Sequence, residues 1–292
     1  MKEALFYEKL AEKKVKCVLC PHFCIISAGN RGICGVRENQ AGTLYSLVYG
    51  KLAAVNIDPI EKKPLYHFLP GTYTYSISTV GCNFRCGFCQ NYHISQAGGM
   101  KEIPGDAVSP EKIVEAAIEN NCPSISYTYT EPTIYFEYAF DTAKIAKEKG
   151  LKNIFVTNGF MNREPLEKMA LYLDAANVDL KSFSEDFYKK ICKARLAPVL
   201  ETLKRMKELG IWVEVTTLII PGLNDSSDEL SKIALFIKNE LGEGTPWHVT
   251  AFYPTYKMQD LPRTPVETLL KAQEIGTNAR LKFVHMGNIP LT

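Results

Sequence analysis

Three cysteines in one short segment, Cys82-Asn83-Phe84-Arg85-Cys86-Gly87-Phe88-Cys89, carry the clearest chemical signal of this chain. Their spacing is C-x3-C-x2-C, with an aromatic residue directly before the last cysteine. Three thiolates can hold three irons of a four-iron cluster and leave the fourth iron without a protein ligand. An open coordination position marks a reactive site, because structural sites are closed by four protein ligands. The alternative is a zinc or structural iron–sulfur site lacking one ligand; no fourth cysteine follows nearby, as a ferredoxin run requires. A second group, Cys17, Cys20, Cys24 and Cys34, encloses His22 and is interspersed with Gly29 and Gly32. Four cysteines this close suit a closed four-thiolate site, for zinc or an auxiliary iron–sulfur cluster; free thiols or a disulfide pair are the alternative. Cys122 and Cys192 stand alone in apolar surroundings and are expected to be buried packing residues.

The elements that must position these groups follow from periodicity. From about Tyr73 a strand–helix rhythm predicts strands at Tyr73–Val80, Ser124–Tyr129, Asn153–Thr157, Ala176–Leu180, Trp212–Ile220, His248–Phe252 and Leu281–His285. Helix patterns lie between them at Pro110–Asn120, Thr133–Lys149, Pro165–Tyr172, Phe187–Gly210 (two helices), Ser227–Leu241 and Pro265–Thr277. Such alternation implies an α/β fold of βα units on a parallel sheet with right-handed connections. Six or seven units of this kind curl towards a barrel. The three-cysteine segment follows the first of these strands, so it lies at the strand's C-terminal end, where barrels carry their chemistry. Residues 1–72 differ, with clustered cysteines and short β-like runs at Thr43–Val48 and Lys51–Ile57. The expected division is a small cysteine-rich N-terminal extension over 1–72 and a core barrel over 73–292.

Polar residues recur at the predicted strand ends. Glu131, after the second strand, is either a helix-start carboxylate favoured by the dipole or an acceptor for an ammonium group. Thr157-Asn158-Gly159 closes the third strand and Asp179-Leu180-Lys181 the fourth. Asp179 and Lys181 share one face, either as an exposed ion pair of little worth or as a clamp at the barrel mouth. His248 alternates with Trp247, so one of them faces the interior. A lone strand histidine is more often structural, yet at a barrel strand it is also a candidate to hold substrate or move a proton. Tyr127, Tyr129, Tyr253 and Tyr256 are expected near the mouth.

With this placement, the three-cysteine segment resembles the signature of the radical S-adenosylmethionine (SAM) enzymes. The resemblance implies a partial (β/α)6 TIM-type barrel, with a [4Fe-4S] cluster on Cys82, Cys86 and Cys89 and SAM on the open iron. An electron from the cluster would cleave SAM to methionine and a 5′-deoxyadenosyl radical. Phe88 would lean on the adenine, Glu131 would receive the SAM amino group, and Asn158, Asp179 and Lys181 would orient the rest. Further strings extend the likeness from about Cys17 to Pro290: Cys17-Val18-Leu19-Cys20-Pro21-His22-Phe23-Cys24, Gly32-Ile33-Cys34-Gly35-Val36-Arg37, Tyr129-Thr130-Glu131-Pro132-Thr133-Ile134 and Pro246-Trp247-His248-Val249-Thr250. They are similar to the radical SAM member of the AmmeMemoRadiSam system, a relative of the pyruvate formate-lyase (glycyl-radical-enzyme) activating enzymes. This likeness implies Memo-like and AMMECR-domain partners and a one-electron donor such as flavodoxin or ferredoxin. Val156 stands where such activases commonly carry an aspartate, and Ala251 where the family usually has an arginine.

Bulk properties narrow the field. Hydrophobic content of 46% and charged content of 23% are those of a globular protein, and a net charge of +2 gives no reason to expect nucleic-acid or membrane binding. The N-terminus is charged and amphipathic, without the apolar core of a signal peptide. No apolar run reaches the roughly 20 residues that span a bilayer, so a cytoplasmic location is expected. Nine cysteines in such a chain point to metal ligation or redox chemistry rather than disulfides. The leading expectation is a radical SAM enzyme that abstracts hydrogen from an unidentified substrate. Its rivals are an activase forming a glycyl radical on a partner enzyme, a non-catalytic two-cluster electron-transfer protein, and a zinc-binding interaction module.

Overall fold

The computed structural model describes residues 1–96 and 100–289; Pro290, where the family likeness ends, lies outside them. One sheet holds eight strands: β1 Ala54–Pro59, β2 Tyr73–Ser78, β3 Ser124–Tyr127, β4 Lys152–Thr157, β5 Ala175–Asp179, β6 Trp212–Ile219, β7 Trp247–Ala251 and β8 Val284–Gly287. Each strand lies beside its neighbour in sequence. β2 to β8 are parallel, and β1 adds antiparallel to β2. The six parallel steps are spanned by α1 Pro110–Glu119, α2 Phe136–Glu148, α3 Arg163–Ala170, α4 Ala197–Glu208, α5 Ser227–Phe236 and α6 Val266–Asn278. This is the expected α/β architecture of six βα units. Local signals start the helices: Ser109 and Ser226 cap α1 and α5, accepting from Lys112 N and Glu229 N. The two helices expected over Phe187–Gly210 are divided where Lys193 takes a left-handed conformation (φ 57°) ahead of α4.

The sheet is curled. In a flat sheet β2 and β8 would stand roughly 29 Å apart, six spacings of about 4.8 Å. Yet the single connection between β1 and β2 touches three distant strands. Asn177 in β5 donates to Pro64 O (2.8 Å), Glu214 in β6 accepts from Tyr66 N and His67 N (3.0 and 2.9 Å), and His67 meets His285 of β8 at 2.9 Å. One short loop can reach all three only if the strands wrap around it. β1 lies on the N-terminal side of residue 72 and nevertheless forms the sheet's edge.

The first residues of the chain build two small antiparallel sheets. Lys2–Glu3, Thr43–Ser46 and Arg37–Gln40 form one; Tyr7–Lys9, Val15–Cys17 and Ile25–Ile26 form the other. Arg37 anchors them to the barrel shell through a buried bidentate pair with Glu137 of α2 (2.7 and 2.9 Å). Among the described residues no helix is long and apolar enough to cross a membrane.

Candidate active site

The three-cysteine loop leaves the C-terminal end of β2. Gly81 makes the turn with φ +102°, and it packs so closely on the N-terminal cysteine region that a Cβ would meet Val36 Cγ1 at 2.7 Å and Cys34 O at 3.1 Å. Backbone bonds then brace the loop: Arg85 N to Cys192 O (2.9 Å), Gly87 N to Ile191 O (3.3 Å) and Lys257 N to Gly87 O (3.0 Å). Phe84 N donates to Cys82 Sγ (3.3 Å), and Cys89 Sγ lies 3.2 Å from Ser95 Oγ. Cys192 is buried as expected but does not stand alone: its thiol lies beside that of Cys86. Burial pushes the Cys82 and Cys89 thiols up, and the neighbouring Cys192 thiol followed by burial does the same to Cys86. Such thiols ionise readily only beside concentrated positive charge, which iron supplies. Among the described residues no three His, Cys, Asp or Glu groups stand in ion-holding geometry. The donor chemistry and the loop position fit a three-thiolate cluster, with side-chain rotation of the thiols required to reach it.

The residues expected to serve SAM divide between two sides of this loop. On the Cys82 side, Asn158 Nδ2 lies 3.8 Å from Cys82 Sγ and donates to Asn83 Oδ1 at 2.8 Å. Glu131 is buried there with four protein donors. Its Oε1 accepts from Thr133 N, Thr133 Oγ1 and Thr157 Oγ1, and its Oε2 from Asn158 N (2.8 Å). Burial raises the Glu131 pKa, only partly offset by these donors. Only Oε2 keeps room for a further donor, so the carboxylate first of all ties the end of β3 to the end of β4. On the other side, Lys181 Nζ pairs with Asp179 at 2.7 Å and stands 5.6 Å from the centre of the Phe88 ring. Burial pulls the Lys181 ammonium down, but the charges of Asp179, Cys86 and Cys192 outweigh it and hold the pKa well above the lysine norm. Asp179 is the more exposed partner. Phe88 itself is buried and packs against Phe187.

His248 lies elsewhere. It is the second residue of β7, near the strand's N-terminal end, opposite to the end that carries the cysteines. Its Nε2 meets the buried Glu214 carboxylate at 2.7 Å, and its ring lies 5.2 Å from that of His285. Trp247 faces the helical side and donates to Thr217 Oγ1. Tyr127 is turned away from the mouth, buried and bonded to Asn153. Tyr129 reaches Asp58 of β1, and Tyr256 stacks on Tyr92. Sequence reasoning missed Glu214, His67 and His285, whose partners lie far along the chain and leave no local signal. A larger cavity, about 380 Å³, opens between the Pro21–Phe23 tip and helices α3 and α4, with Arg163, Arg195 and Glu201 in its walls. It contains none of the seven clustered cysteines.

The sequence profile of the radical SAM superfamily matches residues 76–237, and this chain belongs to that superfamily. Binding of an iron–sulfur cluster and of SAM are the hallmarks of its members. An uncharacterized protein of Methanocaldococcus jannaschii is 54% identical over 290 residues, 99% of this chain and 86% of its own length. The pyruvate formate-lyase-activating enzyme of Clostridium pasteurianum is 24% identical over 205 residues, 66% of this chain and 86% of that enzyme. In fold, the chain is similar to a radical SAM methyltransferase from Sphaerobacter thermophilus, with a TM-score of 0.58 at 18% identity over 75% of this chain and 67% of that one.

Proposed function

We propose that the chain is a radical SAM enzyme whose Cys82, Cys86 and Cys89 hold a [4Fe-4S] cluster with one open iron. When bound, cluster and SAM together supply an electron, a reductive cleavage of SAM and a 5′-deoxyadenosyl radical that takes a hydrogen atom from a substrate. The observation that carries this reading is the gathering of Asn158, Glu131, Phe88, Asp179 and Lys181 around a three-thiol loop at the C-terminal end of β2. Lys181 supplies a cation for the SAM carboxylate, and Asp179 accepts hydrogen bonds from ribose hydroxyls. Asn158 offers an amide beside Cys82, and the one free lone-pair site of Glu131 Oε2 faces the role of receiving an ammonium. Phe88 gives an apolar wall for the adenine. Buried surroundings exclude water and stray hydrogen donors while the radical exists.

The likeness to a pyruvate formate-lyase-activating enzyme over two thirds of the chain favours a protein partner as substrate, with a flavodoxin or ferredoxin as electron donor. The motif strings add Memo-like and AMMECR-domain proteins as associates, with residues 1–72 as an extension on a 73–292 core. His248 holds Glu214 in place on this reading. Anaerobic reconstitution followed by dithionite and SAM tests the proposal. 5′-Deoxyadenosine should form with the wild-type chain and not with Cys82→Ala; equal yields from the two would overturn it. Deuterium transfer into 5′-deoxyadenosine from labelled candidate partners then identifies the substrate.

A further inference from the structure

We infer that Cys17, Cys20, Cys24 and Cys34 bind a single Zn2+ ion as a closed four-thiolate site. All four cysteines line one small cavity together with His22, Gly32 and Arg37. Its volume is about 20 Å³, where a single water needs about 10–15 Å³. A single ion fits such a space without displacing the surrounding chain.

The surroundings are built for anionic sulfur. Backbone N–H groups of His22, Ile33 and Val36 lie beside the sulfurs of Cys20, Cys24 and Cys34 and favour their ionised form against burial. His22 and Val36 each follow their cysteine by two positions, so each turn wraps its own amide onto the sulfur. Arg37 is the independent observation. It is only 2% exposed, its two terminal nitrogens are engaged by Glu137 and Leu5 O, and its Nε has no partner among the described residues. A buried donor without a partner is costly, and this one belongs to a wall of the cysteine cavity. Four thiolates around one Zn2+ leave two negative charges, and the guanidinium offsets part of them. Binding exchanges thiol protons for the ion without a redox step. The sulfurs surround the cavity without converging on one point, so rotation of the cysteine side chains accompanies binding. All-sulfur, four-coordinate sites favour zinc among the redox-inert ions.

His22 has a different task. Its Nε2 is bonded to the backbone oxygen of Asn83 at 2.7 Å, inside the three-cysteine loop. The same hairpin is pinned to the start of α3, where Asn162 donates from N to Leu19 O (3.1 Å) and from Nδ2 to Val18 O (2.7 Å). The ion would therefore fix the hairpin that braces the neighbouring loop.

This inference does not depend on the chemistry proposed for Cys82, Cys86 and Cys89, and its test removes them. The full-length Cys82→Ala/Cys86→Ala/Cys89→Ala variant, expressed with zinc and iron in the medium, is analysed for metal and acid-labile sulfide. One zinc per chain is expected, and it should be lost when Cys20→Ser and Cys34→Ser are added. No bound metal, or iron and sulfide in cluster proportions, would overturn the inference. If the additional substitutions prevent folding, Co2+ exchange into the four-cysteine protein decides instead. Tetrahedral d–d bands with thiolate charge transfer support the site, and octahedral or absent Co2+ spectra refute it.

Discussion

Lys181 is the residue whose surroundings say most about how SAM would be held. Its ammonium sits between the Asp179 carboxylate and the face of Phe88, with a raised pKa that keeps it charged at any working pH. A charge-assisted hydrogen bond to a SAM carboxylate contributes about 1.5–3 kcal/mol. Lys181→Ala is therefore expected to raise the SAM concentration that half-saturates 5′-deoxyadenosine formation roughly tenfold to a hundredfold. An unchanged SAM dependence would make the pair with Asp179 purely structural. At this scale the cysteine spacing was legible because metal ligands on one loop are a local pattern. The engagement of Glu131 was not, since its donors come from Thr133, Thr157 and Asn158, of which two belong to the next strand's end. Nor was the meeting of Cys86 with Cys192, which only the folding of the loop onto the segment before α4 creates.

Among the elements, the joint between the N-terminal sheets and α2 is the most exposed to a single change. Glu137 accepts both terminal nitrogens of Arg37 and also Leu5 N (2.8 Å), and both charged partners are out of solvent. Removing one partner leaves the other charge buried, which costs about 3–5 kcal/mol. Glu137→Ala is expected to lower the unfolding free energy by that amount in a denaturant titration; a loss under about 1 kcal/mol would show that water or rearrangement replaces the pair. The repeating strands and helices were readable from their periodicity because each is a local pattern of burial. β1 falls within the expected extension because it joins the sheet antiparallel, across a connection with no α-helix. The division of Phe187–Gly210 into two helices was expected, but its place at Lys193 had no local signal.

The whole molecule is a curled sheet closed at one end by its own connection, residues 60–72. There Glu214 gathers His248, Trp212 and the backbone of Tyr66 and His67, while His67 pairs with His285. Contacts separated by 218 positions, such as His67 with His285, leave no trace in local sequence. Burial first, then the charges of His248 and His67, lowers the His285 pKa, with Glu214 opposing. Burial works against the Glu214 anion, but His248 and the N–H groups of Tyr66, His67 and Trp212 win and lower its pKa. At these two groups the folded chain thus binds fewer protons than the unfolded one, at His285 below the usual His value of about 6.5 and at Glu214 below the usual Glu value of about 4.5. Their contribution to stability should be full above pH 6.5 and be lost on acidification through the two windows. His285→Gln should reduce the slope in the upper one in thermal scans, leaving the share of His22, whose pKa burial also lowers; an unaltered slope would assign the window to His22 alone. The central claim remains the open iron on the Cys82–Cys89 loop. Electron–nuclear double resonance on the reduced, reconstituted chain with SAM carrying a 15N-labelled amino group tests it most directly. Hyperfine coupling between that nitrogen and the cluster is the expected result, and its absence at saturating SAM would contradict the account.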